Sequence, residues 1–180
     1  MEGVSAAWFG PAVVAAVVAA AVAWAREAYL NSARRRERAR DVQIALAAEI
    51  RAYVAVLERD DPAEHGRRME ERILQAGDGE DRFTPFVLQE RNDTVFQALL
   101  PDIQVVSREA VDDVVVCYQQ IVAIAALAED MRTEGYAGLG AGRRAAIYSD
   151  YISMKTEALR LGRTAVQSLS ESVERSDARR

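Results

Sequence analysis

Hydrophobic and polar positions repeat with helical rather than strand periods along most of this chain, and breaks in the pattern divide it into blocks. From Ala6 to Ala25 run twenty residues without a charge. At about 1.5 Å per residue, a helix of that length matches a hydrocarbon core of roughly 30 Å. We therefore expect a transmembrane helix over 6–28, preceded by a short extracytoplasmic tail, 1–5. Between Pro11 and Pro62 there is no Gly or Pro, so the helix is predicted to continue to about residue 59. Residues 29–40 lack an apolar stripe and read as a basic juxtamembrane stalk. Beyond them Val42, Leu46, Ile50, Tyr53 and Leu57 follow one another every three or four residues, which places them on one face for a packing partner.

Asp60-Asp61-Pro62 offers a capping carboxylate followed by Pro at the first helical position, so a second helix is predicted to reach about Ala76, ended by Gly77-Asp78-Gly79. Residues 80–89 show no clean period and read as an ordered loop that lays Phe83 and Phe86 onto the core. A short helix is expected at about 90–100 with Val95, Phe96, Leu99 and Leu100 buried, closed or kinked by Pro101. Ser107 is a candidate N-cap for the most apolar helix, about 108–132, in which Val111, Val114, Val115, Tyr118, Ile121, Val122, Ala125 and Leu127 cover more than one face. As a second membrane span its charge-free run 114–128 is only fifteen residues long and contains Gln119 and Gln120. Glycines from Gly135 to Gly142 break the chain, and a last helix over about 142–174 carries a heptad-like seam of Ile147, Tyr151, Met154, Ala158, Leu161 and Ala165. The fold class is all-α: a single transmembrane helix continuing into a cytoplasmic antiparallel bundle, 41–174, of about four main helices plus one short one, with a charged tail, 175–180.

Charge gives the span a direction. Segment 1–40 holds six Arg against three Glu, or +3, whereas 41–180 holds 17 basic and 25 acidic residues, or −8. Arg34, Arg35, Arg36, Arg38 and Arg40 all follow the span, and Glu2 is the one charged residue before it, so the N-terminus should lie outside and the domain in the cytoplasm. Trp8 and Trp24 are spaced to mark the two interfaces, and with the five Arg they form the expected membrane-interface set. Basic residues are almost all Arg, with Lys155 the single Lys, which suggests a GC-rich bacterial genome and hence a bacterial inner membrane. A cleaved signal peptide is the rival reading, since Ala23-Trp24-Ala25 has the small-x-small form. It lacks a positive n-region, and its basic block lies on the wrong side. Ten Ala and five Val, with no Leu or Ile, make the segment only weakly hydrophobic. The same alanines form small-xxx-small ridges, Ala12-Ala16-Ala20 and Ala15-Ala19-Ala23, suited to close helix approach.

Candidate chemistry is sparse. His65 is the single histidine and Cys117 the single cysteine, which excludes an internal disulfide, a zinc site built on several thiolates and a di-metal bundle that needs two Glu-x-x-His motifs. The pairs Glu70-Glu71, Asp112-Asp113 and Glu129-Asp130 are sequence neighbours and point about 100° apart on a helix, so none makes a carboxylate site by itself. Gly138-Leu139-Gly140-Ala141-Gly142-Arg143-Arg144 is a glycine-rich turn entering a helix, a candidate weak anion site at Gly140, Gly142, Arg143 and Arg144. It follows no strand and lacks the Lys-Ser or Lys-Thr of a P-loop. The acidic domain would repel a phosphate backbone, which argues against nucleic acid. We expect no catalytic residues, cofactor or metal. The expected partners are the bilayer and a protein partner or second copy, the chain serving as a membrane-anchored interaction or scaffold module. The alternative is a sensor or regulator binding a small ligand within the bundle.

Overall fold

The computed structural model describes residues 9–79, 82–87 and 92–178. Every regular element among them is helical: α1 (Phe9–Asp60), α2 (Pro62–Ala76), α3 (Thr94–Leu99), a 3₁₀ segment (Leu100–Val105), α4 (Arg108–Asp130), α5 (Glu134–Ala137) and α6 (Ala141–Asp177). The chain separates into two compact units, Met1–Ala39 and Arg40–Arg180. Within the first, every residue from 19 to 31 is exposed.

In the second unit, the five stripe residues of α1 (Val42, Leu46, Ile50, Tyr53 and Leu57) are all buried. At about 1.5–3 kcal/mol for each fully buried large apolar side chain, such a stripe is a main source of cohesion. The core of α4 is Ala110, Val114, Cys117, Tyr118, Ile121, Ile124 and Ala128, a narrower set than its apolar sequence suggests, since Val122 is exposed. Among the described residues α4 is the one helix long and apolar enough to cross a membrane. Its buried face instead packs along α6. There Ser168 donates to Asp113, Ser172 Oγ bonds Ser107 Oγ at 3.0 Å, and Gln120 Nε2 donates to the Met154 carbonyl at 3.0 Å.

Two glycines set the closest approaches. A Cβ at Gly162 of α6 would lie 2.6 Å from Val54 Cγ2 and 3.4 Å from Ile50 Cγ2 of α1; one at Gly66 of α2 would lie 2.6 Å from Ile152 Cγ2 of α6. These contacts show that α1 and α2 pack on successive stretches of α6: Glu58 of α1 meets Arg163 at 2.8 Å, Gly66 meets Ile152, and Gly77 beyond α2 accepts from Arg144 at 2.8 Å. The order differs from four helices folded back on one another. Between α1 and α2, Asp61 takes φ 38° and its side chain accepts from Glu64 N, which caps the helix that restarts at Pro62. Replacing Gly162 with Ala should destabilise the fold by about 1–2 kcal/mol, because overpacking against Val54 outweighs the helix-propensity gain of about 1 kcal/mol. Urea denaturation checks this, and Val54→Ala in the same chain should restore part of the loss.

Two further expectations need correction. Phe86 is 88% exposed, so one Phe of the 82–87 loop rests on the core rather than two; Phe83 is half-buried beneath the Arg72 guanidinium, 4.4 Å from its centroid. Of the four residues expected to be buried near 90–100, Phe96 is buried, Val95 and Leu99 are half-buried and Leu100 is exposed. The helix there is short, and Pro101 turns the chain into a 3₁₀ segment in which side chains no longer keep one face.

Candidate functional site

The first candidate surface is the exposed part of α1 and its collar. Val22 is 63% and Trp24 73% exposed, and Tyr29 and Leu30 are exposed with them. Ala, Val and Trp occupy 19–25 around the whole helix, so there is no polar face to turn toward water. Arg34, Arg35, Arg36 and Arg38 are exposed, whereas Arg40 is half-exposed and pairs through Nε with Asp177 Oδ1 at 3.5 Å. Arg40 is thus tied to the C-terminal end of α6, an assignment that charge counting alone does not reveal. Trp8 and the tail 1–5 lie outside the described residues, as do the side chains of Ala12 and Ala15; the other residues of the small-residue ridges, Ala16, Ala19, Ala20 and Ala23, are exposed.

The second is the glycine-rich turn. Arg144, 1% exposed, sends Nη1 to the Leu139 carbonyl at 2.5 Å and Nη2 to the Gly77 carbonyl at 2.8 Å. Asp78 accepts the Ala141 N–H and has Oδ1 3.8 Å from Arg144 Nη1. Tyr136, on the one-turn helix α5, donates its hydroxyl to the Arg144 carbonyl at 3.1 Å, and burial pushes its phenol up to about 12. The N-terminus of α6 therefore already faces a carboxylate, that of Asp78, which satisfies the positive end of the helix dipole. Gly140 is the N-cap beside Asp78; Gly142 and Arg143 are exposed.

A third cluster was not anticipated. The Glu49 carboxylate of α1 accepts Val95 N at 2.7 Å and Phe96 N at 3.0 Å, capping α3, and also accepts the Tyr118 hydroxyl at 2.5 Å. Phe96 and Tyr118 stack with centroids 3.9 Å apart. Burial, then the hydrogen bond to Glu49 and that carboxylate's charge, hold the Tyr118 phenol well above its ordinary range. The available signal was a charged residue at 49, directly beside the buried stripe positions 46, 50 and 53.

Comparisons with protein-family models, curated proteins and solved structures return no match. The chain must be read from its own residues. His65 is exposed on α2, beside a Glu64 engaged by Arg67 and Arg68. Cys117 is fully buried, and desolvation pushes its thiol up to about 11, which suppresses the nucleophilic thiolate. Among the described residues no three His, Cys, Asp or Glu side chains converge as a metal site. A groove of about 230 Å³ between α1 and α6 is lined by Gln43, Ile44, Arg51, Leu169 and Glu174 among others. Pockets for small organic ligands usually occupy about 300–1,000 Å³ and are better enclosed.

Proposed function

We propose that the chain is a single-pass membrane protein whose N-terminal helix, 6–28, holds a helical interaction module, 41–174, at the cytoplasmic face of a bacterial inner membrane. The observation that carries this reading is the exposure of Val22, Trp24 and the surrounding Ala of 19–25 on every side of α1. An apolar helix surface without a polar face is costly in water, at about 25 cal/mol per Å², and the cost vanishes in hydrocarbon. The arginines that follow favour retention of the C-terminal part on the cytoplasmic side. The module works by non-covalent association, with a protein partner or a second copy as its ligand. That assignment draws on unit 40–180, whose regular elements among the described residues are all helices, and on apolar side chains left exposed on it, Ile44, Val56, Val116 and Val122 among them.

The test is fractionation of expressing cells. The full chain is expected in the membrane pellet after alkaline carbonate washing, released by detergent, with its C-terminal epitope degraded by protease only when the inner membrane is opened. Recovery of the uncleaved chain in the carbonate supernatant would sink the proposal. Removal of residues 1–25 should move the protein to that supernatant.

A further inference from the structure

We infer that the arginine collar is a recognition ring for anionic phospholipid headgroups, formed by Arg34, Arg35 and Arg36; this rests on the membrane-anchor reading above. Neighbouring residues on a helix point about 100° apart, so Arg34, Arg35 and Arg36 look to three different sides. All three are exposed. A one-sided basic stripe would suit a helix lying flat on a surface. Charges distributed around the helix instead suit one that crosses a layer of headgroups and meets them on every side.

The spacing agrees. Trp24 precedes Arg34 by ten residues, or about 15 Å of helix. The headgroup layer of one leaflet takes up roughly 5–7 Å of that distance. The remainder is about one Debye length, ~8 Å at physiological ionic strength, so phosphate charge still acts at the level of the Arg backbone. Helical side chains lean toward the helix N-terminus, which here is the direction of Trp24, and the long aliphatic stems of Arg bring the guanidinium groups back toward the phosphates. The guanidinium fork matches phosphate oxygens in a bidentate manner that Lys does not reproduce. Within 1–40 the net charge is +3, with Glu37 the acid next to the ring. Arg40 does not belong to this ring, because Asp177 engages it.

The experiment uses the full chain carrying Trp8→Phe, which leaves Trp24 as the single tryptophan, reconstituted in vesicles of phosphatidylcholine and phosphatidylglycerol with one lipid or the other brominated in its chains. Quenching of Trp24 then reports which lipid lies beside the helix. We expect phosphatidylglycerol to be preferred about fivefold, with the preference falling to about one in R34Q/R35Q/R36Q and, for the unmodified collar, in molar salt. A preference of one in the unmodified chain, or one that survives the triple substitution, overturns the inference while leaving the anchor intact. Absence of quenching by either brominated lipid overturns both. Inorganic phosphate should lower the preference no more than chloride of equal ionic strength; a larger loss would identify a free-phosphate site and overturn the lipid assignment.

Discussion

Arg144→Met is expected to lower the unfolding free energy by about 3 kcal/mol, with a shallower loss for Arg144→Lys, both read from urea denaturation followed by circular dichroism. The guanidinium is wholly buried and donates to two carbonyls from separate segments, Leu139 before α6 and Gly77 after α2. Met fills a similar volume but leaves both carbonyls without this donor, and hydrogen bonds from a charged group contribute roughly 1.5–3 kcal/mol each. Lys keeps the charge and reaches one carbonyl at a time, because its donors radiate from a single nitrogen. A loss below about 1 kcal/mol for Arg144→Met would mean that the two segments are held by apolar packing alone.

Glu49→Ala should cost about 2–4 kcal/mol and loosen α3 ahead of the rest of the unit. One carboxylate accepts from Val95 N, Phe96 N and the Tyr118 hydroxyl, so its removal strands two backbone donors at a helix start and one partly sequestered phenol. Tyr118→Phe removes the phenol while retaining the ring stacked on Phe96, and should cost only about 1–1.5 kcal/mol. In a double-mutant cycle the two substitutions are expected to be less than additive, because they share one hydrogen bond. Hydrogen exchange supplies the second readout: the amides of 95–99 should lose protection in Glu49→Ala and keep it in Tyr118→Phe. Equal loss of protection in both would assign the anchoring of α3 to the tyrosine instead.

Helix extents were readable because their punctuation is chemical and local. The expected spans 6–59, 108–132 and 142–174 correspond to Phe9–Asp60, Arg108–Asp130 and Ala141–Asp177, and Pro62 and Gly77 bracket α2 as their backbone preferences require. Which neighbour each face meets was less readable. Asp61 in the left-handed region was seen only as a cap, although its φ of 38° goes with the succession of α1 and α2 along α6. The seam expected in α6 was half right: Tyr151, Ala158 and Ala165 are buried, Ile147, Met154 and Leu161 only partly, and the closest approach falls at Gly162, a residue that hydrophobic periodicity ignores.

The candidate sites divide in the same manner. Residue type alone identified Arg143 and Arg144 as cations near a helix start, but sequence cannot distinguish a guanidinium waiting for an anion from one already committed to carbonyls. Asp78 lies 63 residues from the N–H that it accepts, and a loop closure of that length leaves no periodic trace. Glu49 acts across 46 and 69 residues on α3 and Tyr118, at a position that reads as the polar edge of an amphipathic helix.

Asp78 also sets the terms on which any soluble anion would reach the start of α6. A carboxylate attached to the same chain competes as an intramolecular rival, present at an effective concentration on the order of millimolar or above. Free phosphate must therefore outweigh the carboxylate by affinity wherever its concentration is lower, so the glycine-rich turn offers a soluble anion a place that its own chain already holds.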